Sequence, residues 1–389
     1  MQNGHQVGPF PEEEFRALVG SSKVTGNTLV WHEGMKEWAA FGSLTAGPNV
    51  VSTQPATGNT AARQAAASLI SAVDHSVVAS HDYEQLRSDL LKEVANEKIK
   101  ALINSLGRYP YFFPQLFPKI KGLGIKGLIK KKVNTIKAIE PILNQLFLPR
   151  EEVRFVTTGI FYSFAEQYFM GWMANFINRT AFLFTNYRII MINVDSKNRP
   201  LKMKWHIPYD QIKEFKTGGL SSAVVFKLKD RKTYIFSRVL RPDREDLGEY
   251  VKEMIETVDK DNFRIPFYQS RDNLCTNCYL PVEPGNYTCK QCGEEFIKPI
   301  KPALMSLFFP CLGNFYLGHK GLGTLELLGY VIFLLAIIGA VVEEGIAALP
   351  GVLIAVAVVH ILDFALTFHM AKKGIISTKG TWGAHHKSD

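Results

Sequence analysis

Residues 1–30 contain no apolar run after a basic start, so no secretory signal peptide is expected there. Catalytic signatures are also missing. The chain has no nucleophile elbow, P-loop or dinucleotide fingerprint. GLGIKG lacks the G-x-x-x-x-G-K-[ST] spacing, and Gly122, Gly124 and Gly127 follow no buried strand. No enzymatic activity is expected. Aromatic residues are absent from 45–80, a stretch rich in Ala, Ser, Thr and Gly that reads as a flexible linker with too little apolar surface for a core. Cysteine is scarce, with five in 389 residues, and four of the five lie in CTNCYLPVEPGNYTCKQC, 275–292.

What remains is unevenly distributed. Apolar residues make up 47% of the chain but concentrate in its last quarter, and the net charge of +9 favours an anionic neighbour. Residues 82–106 carry Leu86, Leu90, Val94, Leu102 and Leu106 at helical spacing, with Gly107 as a stop, and predict one helix. A basic run follows, with seven lysines between Lys119 and Lys137 and no acid. From about 150 to 258 the pattern becomes β-rich, in VRFVTTGIFYSF, RTAFLFTNYRIIMINV and LKMKWHIPYDQIKEF among others, and closes on the helical EDLGEYVKEMIETVD. That order predicts a small β-barrel or sandwich with a C-terminal helix.

Two long apolar runs end the chain. Leu327–Val342 and Gly345–Leu362 have no Asp, Glu, Lys or Arg, and each extends to about the 20 residues that a helix needs to cross a bilayer. They predict a two-helix transmembrane hairpin turning at EEGIAALPG. The shorter Ala303–Leu317, broken by Pro310 and Gly313, reads as an interfacial or re-entrant element. Lys298, Lys301 and Lys320 precede the first run, and Lys372 and Lys373 follow the second, whereas the turn holds Glu343 and Glu344 and no cation. The positive-inside rule then places both termini in the cytoplasm. In that reducing compartment the paired C-x-x-C motifs are better explained by a structural Zn2+ site of Cys275, Cys278, Cys289 and Cys292 than by disulfides. Four thiolates leave no open coordination position, so the metal is expected to be a staple.

Three further sets of residues are candidates. Lys119, Lys121, Lys126, Lys130, Lys131 and Lys132 interleave with Ile and Leu, a pattern that suits an anionic membrane surface; nucleic acid and a plain solvated helix are the alternatives. Glu326, His360 and Asp363 are polar groups within the apolar runs, and an antiparallel hairpin would bring them to one level, where they would bond between helices or handle an ion.

The third set rests on family resemblance. VGPF, a short helix and TLVWHEGMKEW resemble the bacterial GYF-like family GYF_2, a small β-hairpin and helix module related to an adaptor that recognises proline-rich peptides. The resemblance implies a peptide groove at Gly8, Pro9, Phe10, Trp31, Met35 and Trp38. Members open with an aromatic strand before the Asn-Gly turn; here only Met1 and Gln2 precede it, so that strand is expected to be short or to lie upstream. Residues 150–260, through Thr185-Asn186-Tyr187-Arg188 and WHIPYDQIKEF, resemble bacterial PH-like and GRAM-like domains. PALMSLFFPCLGNFYLGHKGLGTLELL with HILDFAL is similar to the TM2 family, which implies a two-helix membrane hairpin and little chemistry.

The expected organisation is therefore a multidomain α+β protein. It has a GYF-like head at 1–44, a linker at 45–80, a helical and basic region at 81–149 and a PH-like domain at 150–260. A zinc ribbon at 272–297, a TM2-like domain at 302–374 and a cytoplasmic tail at 375–389 complete it. The expected function is an adaptor in the bacterial inner membrane that binds an extended or proline-rich protein segment. A membrane sensor or transport accessory, and a nucleic-acid-linked membrane protein, are the alternatives.

Overall fold

The structure is a computed structural model and describes residues 29–30, 39–40, 82–161, 166, 168, 170–217, 223–239, 241–257, 265 and 267–379. The chain divides into two compact units, Met1–Thr60 and Ala61–Asp389. In the first, β1 (Leu29–Val30) pairs antiparallel with β2 (Ala39–Ala40), Leu29 opposite Ala40 and Val30 opposite Ala39. Gly8, Pro9, Phe10, Trp31, Met35 and Trp38 lie outside the described residues, as does the linker.

The second unit opens with helices. Where one helix was expected over 82–106 there are two, α1 (Tyr83–Glu93) and α2 (Glu97–Asn104). The reason is local. The Asn96 side chain accepts from the backbone N–H of Lys98 and Ile99, so it caps a new helix instead of continuing the old one. Asp82 caps α1 in the same way, through the N–H of Gln85. After the short α3 (Phe113–Leu116), α4 (Ile125–Leu146) begins at Gly124, whose φ of 78° is the left-handed conformation glycine tolerates.

A nine-stranded antiparallel open sheet follows. Its strands are β3 (Val153–Phe161), β4 (Arg179–Thr185), β5 (Arg188–Val194), β6 (Pro200–Pro208), β7 (Ile212–Thr217), β8 (Val224–Leu228), β9 (Thr233–Ser237), β10 (Asp272–Leu274) and β11 (Pro281–Val282). They lie in the order β11-β10-β6-β5-β4-β3-β9-β8-β7, and a short helix α5 (Ala174–Ile177) falls between β3 and β4 in the chain. Among the described residues, β3 joins β9 through Ile160 and Phe161. The central strands are buried on both faces, which is why RIIMINV is almost uninterruptedly apolar. Ala181, Leu183, Ile190 and Ile192 face α1, α2 and α4. Phe182, Phe184, Ile189 and Met191 face the other way, into a core shared with Phe226 and Phe236 and with α6 (Arg241–Thr257).

Two expected boundaries dissolve. The cysteine segment is not a separate ribbon, because β10 pairs with β6 and extends the sheet. The expected tail does not hang free from residue 375. Ile375, Ile376 and Ser377 are buried, Ile297 N–H donates to Ile376 O at 2.9 Å, and Ser377 bridges Phe296. Residues 380–389 lie outside the described set.

The C-terminal helices are α7 (Ile300–Phe308), α8 (Leu312–Leu317), α9 (Lys320–Glu344) and α10 (Leu349–Lys372), the last two separated by a 3-10 turn at Gly345–Ala348. Lys320–Lys372 is the one helical run among the described residues long and apolar enough to cross a membrane, with mean hydropathy 2.5, and its apolar window is not buried inside the chain. Tyr316 and Leu317 before this run, and Ala371 and Ile376 at and beyond its end, enter the same core against the sheet.

Gly313 marks where α8 meets its neighbours. A Cβ there would lie 2.5 Å from Ser306 Oγ and 2.6 Å from Thr367 Cγ2, and closer still to Pro302 O. Gly313→Ala is therefore expected to cost about 1–3 kcal/mol by overpacking, read as a lower unfolding temperature of the purified chain. An unchanged midpoint would show that α8 yields without cost.

Candidate functional site

The cysteine cluster is built by two similar turns. Cys275 O accepts from Tyr279 N–H at 3.1 Å, and Cys289 O accepts from Gly293 N–H at 2.9 Å. Tyr279 and Gly293 close these turns with φ of 58° and 72°. The left-handed position was readable at Gly293; at Tyr279 a bulky residue holds it, with its ring packed in the core under Lys204. Each turn presents its pair of sulfurs to the other. Cys275 Sγ lies 3.6 Å from Cys292 Sγ, Cys278 Sγ lies 3.6 Å from Cys289 Sγ, and all four sulfurs fall within 4.8 Å of one another. These separations are far too long for disulfides. They match the roughly 3.8 Å that separates sulfurs placed tetrahedrally at about 2.3 Å from a metal.

The surroundings favour thiolate at Cys275 alone. The Cys278 thiol beside it pulls Cys275 down to about 5, helped by Asn277 N–H at 3.4 Å from Cys275 Sγ and against the opposing effect of burial. The Cys275 sulfur in turn pushes Cys278 up, and burial pushes Cys289 up, so without a metal those two hold their protons. Burial brings the ammonium of Lys204 down to about 8, while Cys275 acts in the opposite direction. The four residues thus fit a closed, four-sulfur metal site. A bound metal would cross-link β10, the 289–293 turn and, through Ile375 and Phe296, the returning chain end.

The polar residues of the apolar run are brought together: His360 and Asp363 bond backbone groups where α7 ends, and Glu326 bonds a side chain of α8. A peptide carbonyl only accepts, so His360 Nδ1–H donates to Leu307 O at 2.6 Å, and its Nε2 meets the Tyr330 hydroxyl at 2.9 Å. Asp363 Oδ2 accepts the N–H of Cys311 at 3.0 Å, and its other oxygen is 3.4 Å from Thr367 Oγ1. Glu326 takes both of its oxygens to Asn314 Nδ2, at 2.9 and 2.8 Å. Glu326, Tyr330 and Asp363 line one cleft of about 500 Å3, walled by Phe333, Val359, Leu362 and Leu366. Sequence reading found the three ionisable groups and missed Asn314, Tyr330, Ser306 and Thr367, because neutral polar residues within apolar helices give no charge signal.

The lysine run behaves differently from the surface face that was expected. Ile129, Val133, Ile136 and Ile139 of α4 pack into the core, and Lys132 goes with them. Its ammonium donates to Leu116 O at 3.0 Å, lies 3.6 Å from Asp243 and sits over the Phe155 ring. Lys132 is therefore not available to a lipid surface. Lys119 pairs with Asp246 at 3.2 Å, and Lys121, Lys126 and Lys130 remain exposed, with Lys131 half-buried.

The turn at Thr185–Arg188 is structural, and its depth was not legible in the sequence. Arg188 is buried, bonds both oxygens of Glu151 at 2.9 Å, donates to Leu146 O at 2.7 Å and reaches His206 Nδ1 at 3.1 Å. Burial lowers the His206 pKa, and its Nε2 faces Asp272 at 3.6 Å.

Comparison with known proteins adds a finding for one unit. Residues 1–46 match the family described as GYF domain 2. No curated protein matches the chain. Among solved structures, the crystal structure of the C-terminal domain of an unknown protein from Leishmania infantum covers 34% of this chain and 98% of its own, at 11% identity and a TM-score of 0.22, too low to define a shared fold. The N-terminal segment is thus similar to a protein-interaction module of the GYF type.

Proposed function

We propose that this chain is a membrane-anchored adaptor in which the GYF-type head captures an extended or proline-rich protein segment. The observation that carries the proposal is the pairing of a GYF domain 2 match at 1–46 with an apolar helical run that is left uncovered by the rest of the chain. Aromatic side chains suit a polyproline II ligand, which arrives preformed and loses little entropy on docking.

The anchor is a two-helix hairpin in this reading. At 1.5 Å per residue, 25 residues of α9 and 24 of α10 are each about 36 Å long, enough for a hydrocarbon core of about 30 Å. Residues before and after the run return to one core, and Tyr330 meets His360, so two crossings are favoured over one long helix. The lysines on either side of the run favour a bacterial inner membrane with both termini cytoplasmic. The TM2 resemblance agrees with such an anchor. The PH-like reading is supported by the order β6-β5-β4-β3-β9-β8-β7 followed by α6. Zinc is the metal the four thiolates suit best, in a structural role, and no step of catalysis is assigned to the chain. Ion handling by Glu326, His360 and Asp363 is disfavoured, because each already bonds a group within the helical assembly. Lipid contact by Lys121, Lys126 and Lys130 remains part of the proposal, and nucleic acid does not.

The test uses the full chain in lipid nanodiscs with a fluorescent proline-rich peptide. Trp31→Ala and Trp38→Ala are each expected to weaken binding at least about tenfold, the size of an aromatic hot spot. Absence of saturable binding by the unmodified chain would overturn the adaptor reading.

A further inference from the structure

Helix α7 is amphipathic in an unusual sense. Its inner face, Pro302, Ala303 and Ser306, is buried, and Ser306 Oγ meets Thr367 Oγ1 of α10 at 2.9 Å. Its outer row, Ile300, Leu304, Leu307 and Phe308, recurs at helical spacing and is exposed, Phe308 at 83%. The chain then breaks at Phe309–Cys311, where Cys311 takes a φ of 81°, before α8 resumes.

A break of this kind on a wet surface leaves its backbone groups to solvent. Here the chain supplies partners for them. His360 closes the Leu307 carbonyl, Asp363 closes the Cys311 N–H, and Phe309 N–H donates to Met305 O at 3.0 Å. Irregular backbone is tolerated at membrane depth only where protein groups or a water-filled cavity satisfy it, and here protein groups do. An outer row of four large apolar residues, continuous with α10 and backed by a satisfied break, fits hydrocarbon.

We infer that α7 and the break after it form a third lipid-embedded element, a re-entrant wedge whose Ile300, Leu304, Leu307 and Phe308 row contacts acyl chains and whose break is sealed by His360 and Asp363. This inference rests on the membrane-anchoring reading. It assigns to the two ionisable residues the task of closing backbone groups where no water is available. The row's occupant is lipid, not a partner helix: it runs alongside α10, whose Leu353, Ile354, Ile361 and Leu362 are themselves exposed, so both helices offer one apolar surface.

The experiment is photocrosslinking of the full chain in phosphatidylcholine and phosphatidylglycerol vesicles. The photoreactive residue replaces one exposed side chain at a time: Phe308→benzoylphenylalanine and Leu304→benzoylphenylalanine test the wedge. Leu335→benzoylphenylalanine is the control within α9, and Ile235→benzoylphenylalanine the control on β9. The expected result is a phospholipid mass adduct at positions 304, 308 and 335 and none at 235. Adducts at 335 without adducts at 304 and 308 would overturn the wedge and leave the anchor standing. No adduct at any of the three would overturn both. A product of twice the chain mass at 304 or 308 would place a second copy on the row and also overturn the inference. As a second arm, His360→Leu is expected to increase amide exchange at 307–311 several-fold, while His360→Gln, which retains a donor, is expected to restore part of the protection. Equal protection in all three proteins would remove His360 from the seal.

Discussion

Stripping a metal bound at the cysteine cluster is expected to release residues 272–297 and the returning chain at 375–379 while β3, β4 and β5 stay folded. Structural zinc binding in small modules is worth on the order of 10 kcal/mol at neutral pH, comparable with the stability of a whole domain. Apart from a metal, the segment is held by the short β10–β6 pairing and by Leu274 and Tyr279 in the core against the helices. β11 is two residues long, β10 is three, and among the described residues the apolar cluster around the cysteines themselves is Val282, Phe296 and Ile375, with Tyr287 beside it. The central sheet has its own cores on both faces and does not depend on the metal. The measurement is hydrogen exchange by mass spectrometry before and after a strong chelator, beside metal analysis of the untreated chain. One zinc per chain is expected in the unmodified protein and none in Cys275→Ser. Full protection of 272–297 in metal-free protein would show that the cluster is only four adjacent thiols.

Much of this architecture was legible because its signals are local. Two C-x-x-C turns ten residues apart need no knowledge of the rest of the chain, and the sulfurs do converge. The apolar run and the β-rich stretch declare themselves by uninterrupted composition. Legibility failed where a residue acts against its class. Lys132 belongs to a lysine run but turns inward, because the α4 face it shares with Ile129 and Ile136 is needed by the sheet. Asn96 splits a helix that the leucine spacing alone carries through, since a cap competes with the i to i−4 ladder and periodicity does not register it. The returning chain end carries a local signal, since Ile375-Ile376-Ser377-Thr378 is a β-type run directly after Gly374, and it forms a single bridge from Ser377 to Phe296. The buried polar network and the sealing of the helix break were out of reach, since both depend on residues far apart in sequence. Glu151 and Arg188 lie in different elements, and nothing near either announces the other.

Glu151→Met is expected to destabilise the unit by about 3–5 kcal/mol, because it leaves the guanidinium of Arg188 buried without its carboxylate. Glu151 is itself fully enclosed, and its oxygens also accept from the Thr185 hydroxyl at 2.8 Å and from Leu148 N–H at 2.7 Å. Arg188 carries the connection onward to the end of α4 at Leu146 and to His206 on β6, which faces Asp272 on β10. The network therefore fastens the helical layer, the β4–β5 turn and the strand that leads into the cysteine turns. Arg188→Met is expected to cost a similar amount, since it strands Glu151. The combined Glu151→Met and Arg188→Met variant is expected to cost clearly less than the sum, because two apolar side chains of similar length need no partner. Denaturant or thermal unfolding of the four proteins in one detergent gives the coupling directly. Single variants that each lose less than about 1 kcal/mol would mean that water reaches the pair, and that the fastening of the layers lies in their apolar cores alone.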